Sequence, residues 1–134
     1  MKTKILYVED DKDTRNLVKT LLEKEGFIVS VVCSGAEGMA QLEKDRPDLI
    51  ILDMMLPDMS GWDVFNKIVT HEIDYRVEHS IRENESFIKI IFLSVIPMPK
   101  ERIKKMHEYG IADYITKPFD NRALVRRIRK LLDE

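Results

Sequence analysis

The feature that most constrains this chain is a repeated alternation of short apolar runs with segments patterned for helices. The runs are Ile5-Leu6-Tyr7-Val8, Phe27 to Val32, Leu49-Ile50-Ile51-Leu52, Ile88 to Leu93 and Ala112 to Ile115. Each is mostly apolar, interrupted at most by one polar residue (Ser30, Lys89 or Asp113), without the polar alternation of a half-solvated strand, so they read as strands covered on both faces. Between them, Thr14, Leu17, Val18, Leu21 and Leu22 recur at helical spacing, and Gly26 stops that helix. Ala36, Met39 and Ala40 mark a short second helix that ends before Pro47. A charged helix from about Lys100 to Tyr109 ends at Gly110, and Leu124, Val125, Ile128, Leu131 and Leu132 share one face of the last helix. Strands alternating with helices predict an α/β doubly wound fold: a parallel sheet, right-handed crossovers and helices on both faces. With 134 residues, 44% of them hydrophobic, there is material for one core of ordinary size, so residues 1–134 are expected to form one domain.

The stretch from Gly61 to Ile88 is long for one helix and its connections. Val69, Ile73, Val77 and Ile81 recur at every fourth position. This predicts a third helix, starting near Gly61 and extended by two or three turns. Its apolar stripe would project past the domain body, to pack back on it or to bind a partner.

Polar residues fall where the apolar runs stop. Glu9 and Asp10 follow the first run, Asp53 the third, Ser94 the fourth and Lys117 the fifth. In a parallel sheet these positions share one edge, where open α/β sheets bind ligands. Three acids, a hydroxyl and an ammonium should therefore meet. Close carboxylates repel, so a cation is expected among them. The donors are hard oxygens, with no His or Cys, which selects Mg²⁺ or Mn²⁺ over zinc. A metal, a lysine, a hydroxyl and a carboxylate nucleophile are the parts that phosphoryl transfer to an aspartate requires.

The chain resembles the response regulator receiver domain of two-component signalling. The resemblance rests on Val8-Glu9-Asp10-Asp11, Leu52-Asp53-Met54-Met55-Leu56-Pro57-Asp58-Met59-Ser60-Gly61, Leu93-Ser94 and Asp113-Tyr114-Ile115-Thr116-Lys117-Pro118-Phe119, and it runs from Lys4 to Leu132. Each motif is short; four in order, each behind a strand, are specific. The resemblance implies a flavodoxin-like sheet of strand order 2-1-3-4-5. It implies that Asp53 accepts a phosphoryl group from a phosphohistidine on a histidine kinase or phosphotransfer protein. Glu9, Asp10, Asp53 and the Met55 carbonyl would bind the metal. Ser94 and Lys117 would hold the phosphoryl group, and Tyr114 would be the switch aromatic. Pro118 would follow a cis peptide that aims Lys117 inward. Glu9 stands where an aspartate is often found, a variant that preserves metal binding. Met55 and Ile96 flank the pocket and are apolar, so neither can orient a water, and slow hydrolysis of the phosphoaspartate is expected. The output surface would be helix four, strand five and helix five, a possible homodimer face.

Other readings compete. Glu9, Asp10 and Asp11 would also suit a helix N-terminus, and Asp11 and Asp13 are expected to be capping and surface residues. A small metal-dependent phosphatase with an aspartyl nucleophile would carry two aspartates two positions apart after the first strand; here the nucleophile candidate follows the third. A receiver-like scaffold that is never phosphorylated would not require the full acid set with Ser94 and Lys117. His71, His79 and His107 lack metal-site spacing and read as surface residues. Arg122, Arg126, Arg127, Arg129 and Lys130 read as a solvated basic face, or as a contact for an acidic partner. A net charge of -2 argues against direct nucleic-acid binding. The lone Cys33 suits a reducing cytoplasm. No run approaches the roughly 20 apolar residues of a membrane helix. The expected product is a cytoplasmic phosphoacceptor rather than a turnover enzyme, either self-standing or part of a larger regulator.

Overall fold

A computed structural model describes residues 2–80 and 87–132. Strands and helices alternate: β1 (Lys4–Val8), α1 (Lys12–Lys24), β2 (Ile28–Val32), α2 (Gly35–Lys44), β3 (Leu49–Leu52), α3 (Gly61–Glu78), β4 (Lys89–Ser94), α4 (Lys100–Glu108), β5 (Asp113–Thr116) and α5 (Asn121–Leu131). The strands form one sheet of order β2-β1-β3-β4-β5, with every pair parallel. The sequence reading of the fold class holds.

Side chains alternate across each strand, so the sheet feeds two cores. Leu6, Val8, Ile50, Leu52, Ile90, Phe92 and Tyr114 pack on one face, with Val64, Phe65 and Ile68 of α3 and Met106 of α4. Ile5, Tyr7, Leu49, Ile51, Ile91, Leu93 and Ile115 pack on the other, with Val18 and Leu22 of α1 and Leu124 and Ile128 of α5. Each buried aliphatic side chain contributes about 1.5–3 kcal/mol, so sheet position is set chiefly by these two rows. Gly26 and Gly110 take φ of +94° and +103° just after α1 and α4. Their left-handed backbone ends those helices at little steric cost.

Helix N-termini sit in the turns that leave the strand ends. Asp11 accepts from Thr14 N at 2.8 Å, Ser34 from Glu37 N at 3.1 Å and Asp120 from Ala123 N at 2.9 Å. Ser60 and Asp63 form a reciprocal capping box on α3. Each cap is worth about 1 kcal/mol, and together they fix how the chain leaves the functional edge.

The third helix is extended, at 18 residues, but its packed face differs from the expected stripe. Val69 packs on the core, whereas Ile73 and Val77 are exposed; Ile81 lies outside the described residues. A step of four positions overshoots a helical turn by about 40°, so a row that starts on the packed face drifts into solvent. The buried row is Ile68, Glu72 and Arg76. Glu72 is paired with Arg46, whose Nε lies 3.4 Å from Glu72 Oε2, and it accepts from Ile88 N at 3.4 Å. The Arg76 guanidinium lies 3.9 Å from the centre of the Phe87 ring. The last turns of α3 therefore lie against the domain body instead of projecting from it.

His71 also departs from the surface reading. It is half-buried, and its Nδ1 has no hydrogen-bond partner among the described residues. On α5, Arg127 forms a two-pronged pair with Asp113, and Arg129 pairs with Glu25. The basic face is thus partly neutralised.

Candidate functional site at the carboxyl edge of the sheet

Strand alternation decides which strand-end residues meet. Tyr7 faces the α1/α5 core, so Glu9, two positions on, does too; Asp53 follows Leu49 and Ile51 in the same way. Val8 and Leu52 are cross-strand partners, and Asp53 N donates to Val8 O at 3.1 Å, which sets Asp53 beside Glu9. Lys117 leaves β5 with its N–H bonded to Ser94 O at 2.7 Å, and the Lys117–Pro118 peptide is cis. Lys117 Nζ donates to Glu9 Oε1 and lies 3.4 Å from Asp53 Oδ2. Residues 9, 53 and 117, which span most of the sequence, make one contact group.

Both acids are buried: Glu9 is 0% exposed and Asp53 9%. Asp53 Oδ1 accepts from the Met55 amide at 3.1 Å. Glu9 Oε1 also accepts from the Tyr7 hydroxyl at 2.7 Å, and its Oε2 from Asp11 N at 3.3 Å. Burial pushes the Glu9 carboxyl above its ordinary range and Asp53 acts in the same direction, while Lys117 and Tyr7 oppose them. Asp10 is exposed beside this group. Arg15 Nη1 donates to the Glu9 and Asp10 carbonyls at 2.9 and 3.2 Å, which steadies the turn between β1 and α1.

Ser94 and Tyr114 belong to the opposite row. Ser94 is 0% exposed, and its Oγ accepts from Ile96 N at 3.2 Å. Tyr114 is buried beside Phe92, and its hydroxyl donates to the Ile96 carbonyl. Ile96 therefore links the two side chains through the two ends of its own backbone. Met55 is exposed at the rim.

Three contributors escaped the sequence reading. Tyr7 reads there as a strand residue only. Asp58 reads as part of a loop motif, yet its carboxylate accepts from Gly35 N and Ala36 N at 2.9 Å each, which ties the loop after Asp53 to the start of α2. Gly61 reads there as the end of that motif and the start of the third helix, with no reason why it must be glycine. A Cβ there would lie 2.6 Å from Asp53 O and 2.8 Å from Met54 Cα, so only glycine lets α3 start against the Asp53 backbone.

The oxygens of Glu9, Asp10, Asp53 and the Met55 carbonyl suit a hard divalent ion. As arranged, no three His, Cys, Asp or Glu side chains among the described residues converge on one ion-sized point. Lys117 supplies a positive charge against Glu9 and near Asp53. The donor chemistry fits the ion.

Comparison with known proteins agrees with this fold. A model of the response regulator receiver domain matches residues 5–129. The transcriptional regulatory protein CseB of Streptomyces coelicolor is 35% identical over 97% of this chain and 49% of its own length. The transcriptional regulatory protein PcoR of Escherichia coli is 33% identical over 96% and 51%. This chain thus spans about half the length of the curated relatives it matches. Among solved structures, the non-phosphorylated HemR receiver domain of Leptospira biflexa superposes with a TM-score of 0.80, at 28% identity over 99% of this chain and 96% of that one. The receiver domain of the Francisella response regulator 1452 gives 0.80 at 25% identity, over 98% of both chains.

Proposed function

This chain belongs to the response regulator receiver family of two-component signalling, and on that premise we propose that residues 1–134 form one phosphoacceptor domain with Asp53 as the accepting residue. The observation that carries the reading is the contact group itself: Lys117 Nζ against Glu9 and 3.4 Å from Asp53 Oδ2, at the edge where strand ends meet. The donor would be a phosphohistidine on a histidine kinase or phosphotransfer protein. The P–N bond breaks as an Asp53 oxygen forms the new P–O bond, and the histidine leaves with its electron pair. Lys117 would turn its ammonium from Glu9 towards a phosphoryl oxygen, and the Met55 amide would steady Asp53 Oδ1. Glu9, Asp10, Asp53 and the Met55 carbonyl would hold Mg²⁺ or Mn²⁺, which supplies charge neutralisation for the transferred group.

The switch would start at Ser94. Turning its hydroxyl to a phosphoryl oxygen releases Ile96 N, and Ile96 carries the Tyr114 hydroxyl on its carbonyl. A change at Asp53 thereby reaches the surface of α4, β5 and α5, where a downstream protein or a second copy would bind. Direct nucleic-acid contact is not assigned to this domain. We place it in the cytoplasm, where such kinases present their phosphohistidine; no helix of the described residues is long and apolar enough to cross a membrane.

The test is incubation with acetyl phosphate and Mg²⁺, followed by intact mass and self-association. Gain of one phosphoryl group in the wild type but not in Asp53→Asn supports the reading. Turnover of a generic phosphate ester, lost in Asp53→Asn, would favour a phosphatase; no gain at all would favour a scaffold.

A further inference from the structure

Tyr7 is fully buried in the centre of the sheet, among Ile5, Val18, Ile51, Leu93 and Leu124. A phenol hydroxyl in such surroundings is costly unless it is bonded. Its hydroxyl donates to Glu9 Oε1 at 2.7 Å. That same oxygen accepts from Lys117 Nζ. The two donors differ in kind. Lys117 is on a loop and has a second partner in Asp53, whereas Tyr7 sits on a central strand with its ring enclosed by core.

We infer that Tyr7 is a positioning residue of the phosphoacceptor site: it pins the Glu9 carboxylate from below, so that Lys117 can leave Glu9 without the acid swinging away. This rests on the proposed function and deepens it. If Lys117 turns to a phosphoryl oxygen, Glu9 Oε1 keeps one donor and its place beside Asp53. The side-chain length matters. Aspartate at position 9 would draw the carboxylate back by roughly 1.5 Å, which would open the 2.7 Å bond to about 4 Å, beyond hydrogen-bond range. Glutamate at this position and a phenol two residues earlier on the same strand face therefore act as a matched pair.

A double-mutant cycle tests the pairing, with Mn²⁺ alone as the probe and the electron paramagnetic resonance signal of the free ion as the readout. Tyr7→Phe keeps the ring and removes only the hydroxyl. It should weaken Mn²⁺ binding about 10-fold, the lower end for losing a partner that orients a metal-binding group. In the Glu9→Asp background the same change should matter less than about twofold, because the contact no longer exists. Thermal melts of all four proteins establish that each is folded, and acetyl phosphate uptake should follow the same pattern. Equal weakening in both backgrounds would make Tyr7 a packing residue and overturn the inference. Unchanged binding in Tyr7→Phe, with the wild type binding Mn²⁺, would overturn it too and leave the phosphoacceptor reading standing. A wild type that binds no Mn²⁺ would remove the metal-assisted reading and the inference with it.

Discussion

Arg46→Met should destabilise this protein far more than an ordinary surface arginine change. Glu72 is buried on α3, with its side chain 3% exposed, and Arg46 reaches it from the turn before β3 with a side chain that is 30% exposed. Removing one partner of a buried pair costs about 3–5 kcal/mol because the remaining charge is left without compensation. Water reaches the Arg46 side of this pair, which lowers the expected cost to about 2–3 kcal/mol, or a fall of about 10 °C in Tm for a chain of this size. Methionine keeps the apolar stem, so lost packing adds little. Replacing both partners, in Arg46→Met with Glu72→Leu, removes the stranded charge. It leaves Ile88 N short of its weak 3.4 Å acceptor and the Tyr75 ring without the Arg46 guanidinium that lies 4.9 Å from its centre, and should cost about 1 kcal/mol. The double variant should therefore be more stable than Arg46→Met alone. Urea unfolding of the four proteins at neutral pH measures this directly. A cost below about 0.5 kcal/mol for Arg46→Met, or a double variant less stable than either single one, would refute the claim that this pair is buried and coupled.

Gly61→Ala should cost about 3 kcal/mol or more, because its Cβ would meet the Asp53 carbonyl, Met54 Cα and the Phe92 ring at 2.6, 2.8 and 2.9 Å; chemical denaturation checks it, and a near-neutral result would show that the loop yields. Burial, then the Glu9 charge, pushes the Tyr7 hydroxyl far above its ordinary value of 10.0. The unfolded chain releases this proton near pH 10 while the folded one holds it, so the associated stability is present below that pH and is lost as pH rises beyond it. Of the four tyrosines, Tyr7 should therefore give no phenolate absorbance in the folded protein. Tyr7→Phe should leave the native alkaline titration unchanged, and a smaller amplitude would contradict the burial. Purified phosphoprotein should persist for minutes or longer, since Met55 and Ile96 offer no group to orient water; loss of the phosphoryl group within seconds would refute this.

What could be read from the sequence depended on how local the signal was. The strands were visible because Leu49 to Leu52 and Ile90 to Leu93 are apolar without interruption, as strands covered on both faces must be. The acids and Lys117 were visible because a charge directly after such a run marks an edge. Glu72 and Arg76 were not, because a buried charge breaks the apolar pattern that identifies a packed helix face, and their partners Arg46 and Phe87 belong to other elements. The brighter row of Ile73 and Val77 drew the assignment instead. Asp58 satisfies two amide groups of α2 more than twenty positions away, a pairing that no spacing rule reports. Tyr7 was within reach: two positions before Glu9, which directly follows β1, it had to share that residue's face.

Fluorine NMR of beryllofluoride with Mg²⁺ most directly tests the claim that residues 9, 53 and 117 act as one phosphoryl-binding site. The wild type should show bound-fluoride resonances that vanish in Asp53→Asn and shift or broaden in Lys117→Ala. Bound resonances that survive in Asp53→Asn, or a spectrum untouched by Lys117→Ala, would place the chemistry elsewhere.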